Sequence, residues 1–277
     1  MRLIKDTFFI KADKDLNKYL SLKGLEGQPL IIDTDLEKFT HSCKIGVLSH
    51  VPLEIDQQFS GGCVLKKGDT ILFHHHVVQD CNKVSIDEQE LYRAEFFQIF
   101  AKVENDRIIP VENFIFVEPI LEPEENLWHG MFAMKPHREF LKTCAKVCFV
   151  GTVASDYGIV ENDVVYFTKN ADYEIKVGDK LYWRMRVRNV MAIERNGDLV
   201  CFRDKMIVKP IPFKEQMFSI GDDKRRDYFG EVLSVGSQVA GINVGDKINY
   251  CHGVATKLNY KGEDLSFLAL SNINYVL

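Results

Sequence analysis

No run in this chain approaches the ~18 consecutive apolar residues that a membrane-crossing helix needs, so no membrane partner is expected. An excess of positive charge is missing too. The 277 residues carry 35 Lys and Arg against 40 Asp and Glu, a formal net charge of −5, which argues against a nucleic-acid partner. The N-terminus, MRLIKDTFFIKADKD, is broken by charge too early for a signal peptide. Cysteine supplies no framework: the seven present form an odd set without regular spacing, which fits a reducing cytoplasm better than a disulfide-stapled secreted domain. The one close pair, Cys144 and Cys148, lies in the mostly apolar CAKVCFV. It lacks a second pair at zinc-knuckle spacing, so buried or half-buried thiols are expected there. There is no G-x-G-x-x-G turn for a dinucleotide, and no Ser or Cys nucleophile stands in a recognisable setting with a histidine and an orienting acid. Neither an enzyme nor a cofactor is expected. No stretch is rich enough in Pro and Ser to act as a flexible linker.

What the chain does contain is repetition. NDRIIPVENFIFVEP (Asn105–Pro119) and NGDLVCFRDKMIVKP (Asn196–Pro210) align without a gap at an offset of 91 residues. Each reads as a two-residue turn, a short apolar strand, a polar break and a second strand ending at proline, Asn-Gly being the strongest short-range hairpin signal. The chain's end, KGEDLSFLALSNINYVL, aligns on the same grammar, with Leu199 matched to Phe267 and Val208 to Val276. VGDKLYW from Val177 and VGDKINY from Val244 make a further pair, and KKGDTILF from Lys66 extends it to the first third. On that register Phe73, Trp183 and Tyr250 are equivalent. Glycine-led strands begin at Gly46, Gly151 and Gly230. Only Asp87–Phe100 hints at helical periodicity, and the alternation in FFQIFAKV makes it an insertion ending in a strand. Short strands separated by Gly and Asn turns imply an all-β protein of small antiparallel barrels or sandwiches.

With the units aligned, MIVKP, GEVLSVG, VGDKINY and LSFLALSNINYVL resemble, in order and spacing, the co-chaperonin (GroES-like) family. FIFVEP, VGTVAS and VGDKLYW resemble it in the middle of the chain. The resemblance implies three consecutive GroES-like β-barrels sharing boundary strands: residues 1–112 with an insertion at 77–96, residues 113–203 with an insert in place of the family's roof hairpin, and residues 204–277. It further implies docking on a ring chaperonin through an apolar tripeptide in the loop after each first strand. The loops offer Leu30, Ile31 and Ile32; Met131, Phe132 and Ala133; and Met217, Phe218 and Ile220 as candidates, of which the first set, in GQPLII, comes near the family's glycine-glycine-aliphatic pattern without reproducing it. An exposed apolar anchor gains burial only when its partner arrives; the same triplets could instead pack on their own barrels as strands. Self-association into a ring or larger assembly is expected, in the cytoplasm or, for a viral protein, the host cytoplasm or virion. The alternative function is a non-catalytic structural or assembly protein, such as one of a virus particle. The triplet His74–His76, read as a strand end, would put His74 and His76 on one face. No Asp, Glu or Cys set completes a ligand sphere, so no metal is expected.

Overall fold

The computed structural model describes residues 7–12, 19–20, 30–31, 44–52, 65–122, 140–211, 228–251 and 253–277. In chain order the first strands are β1 (Thr7–Lys11), β2 (Tyr19–Leu20), β3 (Leu30–Ile31), β4 (Ile45–His50), β5 (Thr70–Phe73), β6 (Lys83–Ile86), β7 (Gln89–Glu95), β8 (Ile99–Glu104) and β9 (Arg107–Pro110). There follow β10 (Phe114–Leu121), β11 (Phe140–Val150), β12 (Val164–Phe167), β13 (Tyr173–Val177), β14 (Lys180–Arg186), β15 (Val190–Arg195) and β16 (Asp198–Cys201). The last are β17 (Lys205–Pro210), β18 (Tyr228–Val235), β19 (Lys247–Tyr250), β20 (Thr256–Tyr260), β21 (Glu263–Ala269) and β22 (Ile273–Val276). The chain is all-β, with a short helix at Thr152–Asp156 among the described residues.

The three large sheets share one strand order. The first runs β6-β7-β1-β4-β5-β8-β9, the second β13-β14-β10-β11-β12-β15-β16, and the third β20-β21-β17-β18-β19-β22. Numbered by appearance within its sheet, each reads fourth, fifth, first, second, third, sixth, with a seventh strand in the first two. Each order runs between two edge strands, so the described strands form open sheets, with no closed barrel among them. Nor are boundary strands shared. β10 and β17 pair only within the sheet they open. The chain passes on through tight turns at Glu112 (φ 51°) and Arg203 (φ 52°), where a left-handed residue redirects the backbone.

A repeated turn explains how the third strand of each sheet is launched. Gly68, Asn162 and Gly245 have φ of 92°, 74° and 92°, a region that glycine occupies freely and asparagine tolerates. The aspartate that follows accepts, through its side chain, from the backbone N–H three residues back: Lys66 N to Asp69 at 2.8 Å, Val160 N to Asp163 at 2.9 Å, Asn243 N to Asp246 at 2.7 Å. Its carbonyl accepts from the second strand, at Leu48, Val147 and Val232 respectively. The strands so launched, TILF, VVYF and KINY, end in three buried residues each.

This register corrects the one read from sequence. Phe73 and Tyr250 do lie on equivalent strands, β5 and β19, but the second sheet's counterpart is Phe167 on β12. Trp183 lies on β14, and Gly178-Asp179 closes the β13–β14 hairpin. Lys261-Gly262 closes β20–β21 in the same way and Asp87-Glu88 closes β6–β7, so KGEDLSF matches this hairpin rather than NGDLVCF. Residues 83–95 form the same fourth and fifth strands that every sheet has. Gly46 and Gly230 sit on second strands, whereas Gly151 follows one and matches Gly236. Each of the latter donates its N–H to the start of its first strand, Phe114 O at 3.0 Å and Lys205 O at 2.8 Å.

Two compact units divide the chain: Met1–Phe114 with Phe149–Asp156, and Ile115–Cys148 with Tyr157–Leu277. In the first, Phe8, Ile10, Leu48, Ile71, Phe73 and Tyr92 build one core. In the second, Met206, Val208, Val232, Ile248 and Tyr250 fill the third sheet. A separate cluster joins second and third sheets: Cys144, Tyr166, Met191 and Cys201 pack with Ile207, Leu258, Leu265 and Phe267.

The aspartates of the three turns differ in what else they hold. Asp163, its side chain 2% exposed, also accepts two hydrogen bonds from the Arg195 guanidinium, both at 2.8 Å. Asp69 pairs with Lys102 at 3.1 Å. A buried carboxylate in a bidentate pair is stronger than a single exposed contact. Asp163→Ala should therefore cost about 1.5–3 kcal/mol, more than Asp246→Ala, as read from urea denaturation of each. Equal costs would count against this ranking.

Candidate functional site

All the residues singled out for partner docking belong to one connection, the one between first and second strands. In the three sheets it leaves at Lys11, Leu121 and Pro210, and returns at Ile45, Phe140 and Tyr228. Of the candidates, Leu30 and Ile31 form β3, which pairs with β2 in the register Leu20 to Leu30 and Tyr19 to Ile31. Ile32, Met131, Phe132, Ala133, Met217, Phe218 and Ile220 lie outside the described residues. The anchors of the connection are well defined where strands pair: Lys11 faces Val47 and Pro210 faces Gly230. At the third sheet a cavity of about 630 Å³ opens beside these anchors, lined by Pro210, Tyr228, Tyr250, Leu258, Leu265 and Ser266 among others. Tyr228 and Tyr250 rings meet there at 5.8 Å, and burial raises the Tyr250 hydroxyl above its usual range, helped by Tyr228.

The thiols of β11 and β16 offer little reactivity. Cys144 and Cys201 are buried, Cys148 is half-buried, and all three are free. Burial, with Glu194 nearby, pushes Cys144 up to about 11, and burial does the same for Cys201. A nucleophilic thiol needs the opposite shift.

A second constellation lies at the end of β5, where the sequence reading places His74–His76 on a strand end and expects no metal. His74 is extended (φ −72°, ψ 137°), but His75–Val78 form a 3₁₀ turn, so the strand assumed for His76 is absent. Val77 and Val78 are buried in the first core and draw the backbone inward. The three rings gather instead of alternating: centroids are 4.3 Å apart for His74 and His75, 4.7 Å for His74 and His76, and 4.1 Å for His75 and His76. Burial, reinforced by His76 and Lys44, pulls His75 down to about 4, so it is neutral at physiological pH. The signal available in sequence was the Val-Val pair after the histidines, which a solvent-facing strand end does not need.

No protein-family model and no curated protein matches the chain.

Proposed function

We propose that this protein is a co-chaperonin-like binding protein, built from three GroES-like β units, that docks on a ring chaperonin through the apolar segments of its first-to-second-strand connections. It performs no chemistry of its own in this reading. The observation that carries it is positional. Three sheets have one strand order, and in each the sequence between the first and second strands contains an apolar triplet; in the first and third sheets those two strands pair directly. A tethered apolar segment on a rigid β scaffold suits reversible capture, because the scaffold fixes where the anchor is presented.

A second reading is favoured by one detail. The β2–β3 pairing engages Leu30 and Ile31 in strand structure, as a packed segment of a structural or assembly protein would be. One variant separates the two. On the capping reading, burying each of Leu30, Ile31 and Ile32 on the partner returns about 1.5–3 kcal/mol before ordering losses. Ile31→Ser should then abolish retention of a ring chaperonin from the same organism, with and without ATP, at an unchanged melting temperature. A lowered melting temperature, with retention lost only through unfolding, would move the assignment to the structural protein.

A further inference from the structure

We infer that His74, His75 and His76 form a binding site for a divalent transition-metal ion of the zinc class. One ligand atom from each of the three residues lies within 4.8 Å of the others. Tetrahedral coordination at a metal–nitrogen distance of about 2.0–2.1 Å sets the nitrogens about 3.3–3.4 Å apart. The set must therefore contract by roughly 1.5 Å at most, within reach of side-chain rotation in three adjacent residues.

The backbone beneath the rings is held in place. Val77 and Val78 anchor the turn from inside, and Asn82 Nδ2 donates to the His76 carbonyl at 2.7 Å. The Gln79 side-chain amide lies 2.8 Å from His76 Nδ1. Turned so that its oxygen accepts from Nδ1–H, that amide directs Nε2 of His76 to the ion, as outer-shell partners of ligating histidines do. The His76 N–H donates to Nδ1 of His74 at 3.2 Å, and that contact is given up if the ion takes this atom. This is a long bond and a small loss.

The donor set decides the metal. Three imidazoles without a carboxylate suit Zn²⁺, Co²⁺, Ni²⁺ and Cu²⁺, whereas Ca²⁺ and Mg²⁺ require oxygen ligands. His76 is exposed, so the fourth coordination position opens to solvent and takes water. Three adjacent rings that merely stack, with no ion, are the competing account.

The test uses the full-length chain, stripped with a chelator. Zn²⁺ titration by calorimetry should give one ion per chain, and Ca²⁺ should give no heat. Co²⁺ should develop visible ligand-field absorption without a thiolate charge-transfer band. Changing an outer-shell partner alone costs roughly 10–100-fold in affinity, so His76→Gln, which alters an exposed side chain, should weaken Zn²⁺ at least about tenfold at an unchanged melting temperature. The double variant His74→Gln/His76→Gln should abolish binding. Wild-type affinity in His76→Gln, or a thiolate band pointing to the exposed Cys81 or Cys251, would overturn the assignment. A metal-dependent rise in melting temperature that survives the double variant would do the same.

Discussion

Trp183→Ala should destabilise the second unit by about 3–5 kcal/mol, the range for removing a large aromatic from a core. The ring is 3% exposed and meets Phe140 edge-on at 5.9 Å and Phe167 at 6.2 Å. Phe167 ends β12, the third strand of the second sheet, and Phe140 opens β11, the second strand. Loss of the indole therefore undermines two strands besides β14. Trp183 Nε1 is buried without a hydrogen-bond partner among the described residues, so Trp183→Phe forfeits contact area but no hydrogen bond seen there. It should cost no more than about half as much. Chemical denaturation of both variants checks the pair, and a phenylalanine variant as unstable as the alanine one would show that the indole nitrogen holds a contact after all.

Gly236→Val should be at least as damaging, for a backbone reason. A β-carbon at Gly236 would collide with the carbonyl of Arg203, and that residue is itself in the left-handed region at φ 52°. The glycine cannot retreat, because its N–H is bonded to Lys205 O at 2.8 Å and Gln238 N–H binds the same Arg203 carbonyl at 2.9 Å. Overpacking usually costs about 1–3 kcal/mol; against fixed backbone the valine should exceed the top of that range, with alanine intermediate. Ser237→Ala, one residue away and exposed, should stay within about 0.5 kcal/mol of wild type. A thermal melt of Gly236→Val matching wild type would mean that the turn at Arg203 rearranges at little cost.

Much of this architecture was legible, and the failures have physical causes. The hairpins at Asn105-Asp106 and Asn196-Gly197 could be read because both turn residues need positive φ, which few residue types tolerate. The Gly68-Asp69 and Gly245-Asp246 turns announced themselves likewise. Their counterpart in the second sheet was hidden because Asn162 takes the place of glycine, while an unrelated Gly178-Asp179 hairpin with a similar flank stood nearby. Residue type recorded the allowed conformation there but not which strand followed. Hairpin-like sequence at the chain's end was ambiguous for the same reason. The adjacency of fifth and first strands is a long-range pairing, for which no local signal exists. The histidine cluster depended on a change from strand to 3₁₀ turn at a single residue, decided by burial of Val77 and Val78 rather than by the histidines.

The apolar cluster that joins β12, β15 and β16 to β17, β20 and β21 has a bearing on how the molecule comes apart. Tyr166 packs across it on both Tyr260 and Phe267, at 6.1 Å and 6.2 Å, and its hydroxyl is tied to Glu194 at 2.8 Å. Separating the two sheets would wet all of these side chains at once, with nothing polar to replace the lost contacts. The free energy holding either sheet together therefore includes a contribution from the other, so the pair should open as one cooperative unit in hydrogen exchange. Local opening that begins at an edge strand such as β13 can remain local, whereas opening that reaches Tyr166 is transmitted to both sheets.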